Sequence, residues 1–254
     1  DTGWVQLYSE SPQDSLDSVI QAFRIAEAAN LPVMVNHDAF YVSHAVEPIS
    51  LPKAHSVTDY LPRQSGETRL GDASGKSMGT PIDQASWNRT RREMDAIMQT
   101  IEGLAVEAGQ TWETLTGRGS GPLETYRSDD AEILFVTMGS MCGTVREAVD
   151  RLRASGVAAG LLKVRLFRPL PVAALRAALA GVATAIVLDR NYSPGTGGVL
   201  HQELKAALFG LNDPPRLHGY LAGVGGVDVS VERLQALALE AGSGRPCWQS
   251  LWLE

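Results

Sequence analysis

The hydrophobic pattern changes period twice before residue 37. Trp4, Val5, Leu7 and Tyr8 form a short apolar run that predicts a strand. Ser11, Pro12 and Asp14 then mark a helix start, as N-cap, first helical residue and first-turn acid. Leu16, Val19, Ile20, Phe23 and Ala26 recur at helical spacing, and Asn30 can close that helix in a left-handed conformation. Residues 31–36 are apolar again and predict a second strand. Strand, helix, strand is the repeating unit of a parallel sheet covered by helices.

The pattern then lapses. Residues 51–80 are polar and rich in Gly and Ser, which predicts a long surface loop. One long amphipathic helix is expected over 84–108, with Trp87, Met94, Ile97, Met98, Ile101 and Leu104 along one side. That stripe reads as helix packing. A second loop, LTGRGSGPLETYRSDD, follows.

From residue 132 the alternation is regular. Strands are expected at 132–138, 161–166, 183–188 and 217–221. Each is followed by a helical stretch: TVREAVDRLRASG, residues 172–179, VLHQELKAALFG and VSVERLQALALEAG. Four β–α units predict a compact α/β domain with a mostly parallel sheet.

Composition narrows the picture only a little. With 254 residues, 44% of them hydrophobic, the chain can fill one large domain or two small ones. Its formal net charge is −7, and Lys and Arg are scattered, so nothing points to a nucleic-acid groove or an anionic membrane. Cys142 and Cys247 lie far apart and cannot by themselves ligate an iron–sulfur cluster or make a disulfide framework, which fits a reducing cytoplasm. No apolar run approaches the roughly 20 residues of a membrane span. Because DTGWVQLY enters a strand almost at once, the chain is expected to be the later part of something longer.

Candidate chemistry is sparse. The turns GSMCGT, GTGG and GVGG stand between strand and helix, where backbone N–H groups can meet a phosphate. None completes a P-loop or a dinucleotide fingerprint, and such turns need Gly for tight geometry anyway. There is no G-x-S-x-G elbow around Ser140 or Ser193. Cys142, at a helix start, could have a lowered pKa, but a small apolar filler is the better reading. His201 reads as a solvated or capping residue.

The densest polar cluster lies in VMVNHDAFYVSHAVEPISLP, which holds His37, Asp38, His44 and Glu47. His37 and Asp38 are adjacent on a strand end, so their side chains diverge. Only His44 and Glu47 could converge, and only if 43–47 form a helical turn. Hydrogen bonds that fix the loop suit these residues better than a metal does.

Several long stretches match one family in order. GWVQLYSESPQDSLDSVIQAFRIAE, LPVMVNHDAFYVSHAVEPISLP, DDAEILFVTMGSMCGTVREAVDRLRASGVAAGLLKVRLFRPLP and LDRNYSPGTGG resemble the α subunit of the 2-oxoacid:ferredoxin oxidoreductases, in the pyruvate-type branch. The resemblance covers almost the whole chain except the loops at 53–84 and 108–128. It implies the end of a thiamine-diphosphate pyrimidine-binding domain at 1–52, a linker with a long helix at 53–128, a transketolase C-terminal-like domain at 129–242 and a tail at 243–254. The family's Asp-x-Phe-x-x-Ser-His-x-x-Glu pattern falls on Asp38, Phe40, Ser43, His44 and Glu47. Ala39 replaces the usual Gly, and Asn36 and His37 also depart from the pattern, which leaves the 2-oxo acid open.

The family's activating Glu and its substrate-gripping Thr and Arg lie in a part that this sequence does not match, so no catalytic residue is carried over. Asp38, Ser43, His44 and Glu47 are expected to serve structure or an interface. The resemblance implies oxidative decarboxylation of a 2-oxo acid to an acyl-CoA. Thiamine diphosphate with Mg2+ would be held mainly by other polypeptide, and iron–sulfur clusters would sit on partner chains. The implied partners are β-type, γ-type and ferredoxin-like δ-type subunits, a ferredoxin or other acceptor, and coenzyme A. A branched-chain or aromatic 2-oxo acid such as phenylglyoxylate, a transketolase-type relative, and a non-catalytic α/β scaffold are the alternatives.

Overall fold

The computed structural model describes residues 2–61, 81–244 and 248–253. Strand β1 (Val5–Ser9) leads into helix α1 (Pro12–Ala29), and strand β2 (Val33–His37) returns parallel to β1. The start and stop signals of α1 act locally: Ser11 accepts the Asp14 N–H, and Asn30 closes the helix at φ 51°. Val5, Leu7, Ala22 and Ile25 form a buried seam between strand and helix.

The polar stretch that follows β2 is more structured than its composition suggests. Helix α2 (Ala54–Tyr60) buries Tyr60, and the expected loop from 62 to 80 lies outside the described residues. The single helix expected at 84–108 is two, α3 (Gln84–Met98) and α4 (Ile101–Thr116). Thr100 ends the first by hydrogen-bonding the Ile97 carbonyl with its own side chain. The stripe itself divides there: α3 buries nothing, whereas Ile101, Ala105, Ala108 and Trp112 of α4 are buried, the first three of them in the seam with α1. Within the second expected loop, Leu123–Tyr126 forms strand β3.

A six-stranded sheet follows. Its members are β3, β4 (Ile133–Thr137), β5 (Ala159–Val164), β7 (Thr184–Asp189), β10 (Arg216–Leu221) and β11 (Leu251–Trp252). They lie in the order β11-β10-β7-β4-β5-β3, all parallel except β3, which pairs antiparallel on the edge. Strands β4, β5 and β7 are buried along their whole length, as parallel strands covered on both faces must be. Helices α5 (Met141–Ala154) and α8 (Val231–Ser243) cover one face, and α6 (Val172–Ala178) and α7 (Val199–Leu208) the other.

The strand expected at 161–166 is divided between two sheets. After β5 the chain swings at Arg165, and β6 (Leu166–Arg168) pairs antiparallel with β1. The second unit thus completes the sheet of the first, in the order β2-β1-β6. A short ribbon of β8 (Tyr192–Ser193) and β9 (Gly197–Gly198) precedes α7. Among the described residues no helix is long and apolar enough to cross a membrane.

Candidate functional site

In the six-stranded sheet, β4 is followed by β5 on one side and then by β7 on the other, with α5 and α6 on opposite faces. The carboxyl ends of β4 and β7 therefore flank the topological switch point, the crevice where open α/β sheets normally receive ligands. Here the crevice is filled from within. Asp38, at the exit of β2, projects into it and takes two hydrogen bonds on one oxygen. The Ser140 N–H donates to Oδ2 at 2.8 Å and the Ser140 hydroxyl at 2.7 Å. Arg190, one residue past β7, donates from Nη1 to Ser140 Oγ at 2.8 Å and lies 3.2 Å from Asp38 Oδ2.

Ser140 is the N-cap of α5 but makes no cap bond with its own side chain. The Asp38 carboxylate performs that service from the other unit, where a negative charge also meets the positive end of the helix dipole. Gly139 makes room for it: at φ 68°, a Cβ there would stand 2.6 Å from Asp38 Oδ2. The arm is braced further out. The Arg190 guanidinium stacks 4.2 Å over the Tyr41 ring, and the Tyr41 hydroxyl donates to the Gly226 carbonyl at 3.3 Å.

The start of α7 is filled in the same way. Asp189 Oδ2 accepts the His201 N–H at 3.2 Å and Oδ1 the Asn191 N–H at 3.1 Å. A Cβ at Gly198 would stand 2.7 Å from Asp189 Oδ2. Burial pushes the Asp189 carboxyl up to about 6 in spite of these N–H groups. The Gly-rich turns at 139 and 198 are thus shaped around the chain's own carboxylates, which occupy the positions that a phosphate would take.

His201 corrects its sequence reading. It is fully buried and bonds Ser250 Oγ through Nδ1 at 2.9 Å. Burial, with Lys205 and His218 nearby, pushes its imidazole down to about 4, so it is neutral at pH 7. Cys142 is a core residue whose thiol burial pushes well above its usual range.

The remaining candidates of the β2 exit stay at the surface. His37 is exposed on the strand end. Ser43 Oγ accepts the Phe40 N–H at 3.1 Å and bonds His44 Nδ1 at 2.8 Å, and the His44 ring packs on Phe40 with centroids 4.8 Å apart. No helix forms over 43–47, so His44 and Glu47 are not brought together that way, and Glu47 is exposed without a hydrogen bond or ion pair among the described residues. The arm is pinned again at Ser50, whose backbone N–H and carbonyl both bond the Gln13 side-chain amide, at 2.6 and 3.3 Å. Between the pins it presents Phe40, Val46 and Ile49 to solvent.

A second polar cluster joins the units beneath α1. Lys163 is buried, with its Nζ 3.1 Å from Asp14, 3.3 Å from Glu124 and 3.5 Å from Glu10. Arg165, also buried, donates to Ser18 at 2.9 Å and Gln21 at 3.1 Å. Burial opposes the charge on Lys163, yet Asp14, Glu124 and Glu10 hold its ammonium above the usual range. Burial likewise opposes the Asp14 charge, but Lys163 and Arg165 hold that carboxyl below its usual range. The cluster passed unread in the sequence although it left a mark: Lys163 and Arg165, two apart in the apolar run LLKVRLF, have to be paired if the strand is buried.

Two family models match the chain in series. Residues 1–107 match "Pyruvate flavodoxin/ferredoxin oxidoreductase, thiamine diP-bdg", and residues 131–234 match "Pyruvate:ferredoxin oxidoreductase core domain II". The pyruvate synthase subunit PorA of Methanothermobacter thermautotrophicus is 36% identical over 239 residues, which is 93% of this chain and 61% of that protein. The ketoisovalerate oxidoreductase subunit VorA of Pyrococcus horikoshii is 35% identical over 244 residues, 94% of this chain and 61% of the relative. The chain therefore spans about three-fifths of the length of these curated relatives. A solved 2-oxoglutarate:ferredoxin oxidoreductase from Magnetococcus marinus superposes with a TM-score of 0.59 at 18% identity, covering 93% of this chain and 42% of that one. At that identity the likeness speaks for the fold alone, in which the family models place a thiamine-diphosphate-binding-type unit before a core domain II.

Proposed function

The chain belongs to the α-subunit family of the 2-oxoacid:ferredoxin oxidoreductases, and on that premise we propose that it forms part of an enzyme that oxidatively decarboxylates pyruvate to an acyl-CoA. The observation that carries the reading is the pair of family models in series on one chain, together with a pyruvate synthase subunit 36% identical over 93% of it.

Thiamine diphosphate would supply the carbanion chemistry of such an enzyme. Its diphosphate and metal do not fit the residues described. The N-termini of α5 and α7 hold Asp38 and Asp189, and among the described residues no group of three or more His, Cys, Asp or Glu could hold an ion. In the proposed assembly the cofactor and Mg2+ are held mainly by other polypeptide. Iron–sulfur clusters lie on partner subunits, since of the two cysteines Cys142 is buried in a core. Those partners are β-, γ- and ferredoxin-like δ-type chains, with a ferredoxin as acceptor and coenzyme A as co-substrate.

This chain's own task is geometric. Residues 1–52 contribute to the cofactor-type domain, 53–128 link it to the transketolase-like domain at 129–242 and lend its sheet β3, and 243–254 form a tail that adds β11 to the same sheet. Asp38 locks the two domains at the switch point. Ser43, His44 and Glu47 sit on a pinned, apolar arm that suits a neighbouring subunit. A branched-chain 2-oxo acid is the second reading, favoured by the 35% identity to VorA.

The test is a turnover screen on the native complex, with coenzyme A and a low-potential acceptor. Pyruvate is expected to lead 2-oxoisovalerate, 2-oxoglutarate and phenylglyoxylate. A lead for 2-oxoisovalerate would select the second reading, and no turnover of any 2-oxo acid would leave the scaffold reading.

A further inference from the structure

Four consecutive residues at the exit of β7 each grip a different part of the molecule. Asp189 holds the start of α7, and Arg190 holds Asp38 and Ser140. Asn191 Nδ2 donates to the Tyr8 hydroxyl on β1 at 2.9 Å. The Tyr192 ring meets the Trp252 ring edge-on, with centroids 5.1 Å apart and planes at 60°. The C-terminal segment 248–253 is therefore tied to the same short stretch as the lock between the domains.

That segment is docked at several points. The Leu253 N–H donates to the Leu221 carbonyl at 2.9 Å, and the Leu253 side chain is buried. Ser250 Oγ accepts the Gly198 N–H at 3.0 Å and bonds His201 at 2.9 Å. Lys205 Nζ donates to the Trp248 carbonyl. Trp252 itself is about half exposed.

We propose that segment 248–253 is a clamp. Its docking on Tyr192 sets the path of residues 189–192 and, through them, the grip of Arg190 on Asp38, so that undocking loosens the lock between the domains. The reason is proximity along the chain: each of residues 189–192 is held by a contact of its own, so a shift of Tyr192 falls directly on its neighbours. Arg190 is mounted only two residues away. The coupling is a property of the fold and does not depend on which 2-oxo acid the enzyme takes.

Hydrogen exchange followed by mass spectrometry on the full chain tests it. Trp252→Ala should speed exchange of the segment itself and, several-fold, of the amides at 38–43 and of Ser140. Trp248→Ala is the control, because that ring lies over Lys205 at 4.5 Å and away from Tyr192; it should leave 38–43 and Ser140 unchanged. Where Trp252→Ala fails to fold, Tyr192→Leu carries the same expectation. Faster exchange confined to the C-terminal segment would overturn the proposal, as would no change anywhere, or an equal response to Trp248→Ala.

Discussion

Ser140 gives both its backbone N–H and its hydroxyl to a single oxygen, Oδ2 of Asp38, from 102 residues away in sequence. This one contact ties the carboxyl end of β2 to the switch point of the second sheet, and it turns a crevice that could receive a ligand into a joint. Asp38→Ala would leave the Ser140 N–H and the Arg190 guanidinium without their shared acceptor. Loss of a helix cap of this kind costs about 1–2 kcal/mol, and loss of a partly buried charge partner adds to it. Urea denaturation should show a fall of at least about 2 kcal/mol. A change within about 0.5 kcal/mol would mean that the contact does not hold the units together.

Gly139 and Asp38 should be energetically coupled. Gly139→Ala places a methyl at φ 68°, 2.6 Å from the carboxylate it faces. The left-handed strain of about 1–2 kcal/mol remains in any background, whereas the clash exists only while Asp38 is present. The substitution is therefore expected to cost clearly less in an Asp38→Ala chain than in the parent. Additive effects, measured by a double-mutant cycle, would contradict the close approach.

Asp189 and His201 set opposite pH dependences that cancel. The folded His201 titrates near 4 against an ordinary 6.5, so its contribution is lost as pH falls through that window. The folded Asp189 titrates near 6 against an ordinary 3.8, so its contribution is present at low pH and is lost as pH rises through 6. Each alone amounts to roughly 3 kcal/mol, from about 1.4 kcal/mol per pKa unit. Between pH 4 and 6 the parent chain should show little slope from this pair. His201→Gln should become less stable as pH rises across that window, and Asp189→Asn more stable. Two variants with the same slope as the parent would refute the pairing.

Lys163→Met should be costly at neutral pH. It leaves Asp14, Glu124 and Glu10 facing one another with the ammonium gone. Removing one member of a buried charge cluster typically costs about 3–5 kcal/mol. Part of the loss should return as pH is lowered toward the carboxylate range, because protonation relieves the repulsion. A variant whose denaturation midpoint tracks the parent at both pH values would show that the cluster contributes little.

His44→Ala tests the arm. Among the described residues His44 bonds Ser43 and packs on Phe40, both exposed, so the substitution should lower assembly of the native complex more than turnover per assembled complex. Turnover lost with assembly intact would move His44 into the chemistry.

The sequence disclosed what is decided locally. The cap at Ser11, the left-handed Asn30 and the fully apolar strands of the second sheet were legible because each depends on neighbours within a few residues. The joint was not, since Asp38 meets Ser140 and Arg190 only once the chain has folded. The expected single helix at 84–108 failed for a related reason: one apolar stripe runs through it, and only packing against α1 shows that the half after Thr100 is the buried half. Strand β6 was hidden because it continues the apolar run of β5 while pairing in another sheet. Lys163 and Arg165 are the residues whose signal was present and could have been used.

The most direct measurement is the cofactor dependence of 2-oxo acid oxidation by the native complex that contains this chain. Removal of thiamine diphosphate and Mg2+ should abolish coenzyme A-dependent reduction of a low-potential acceptor by pyruvate, and their return should restore it. Undiminished turnover after complete removal of the cofactor would contradict the account.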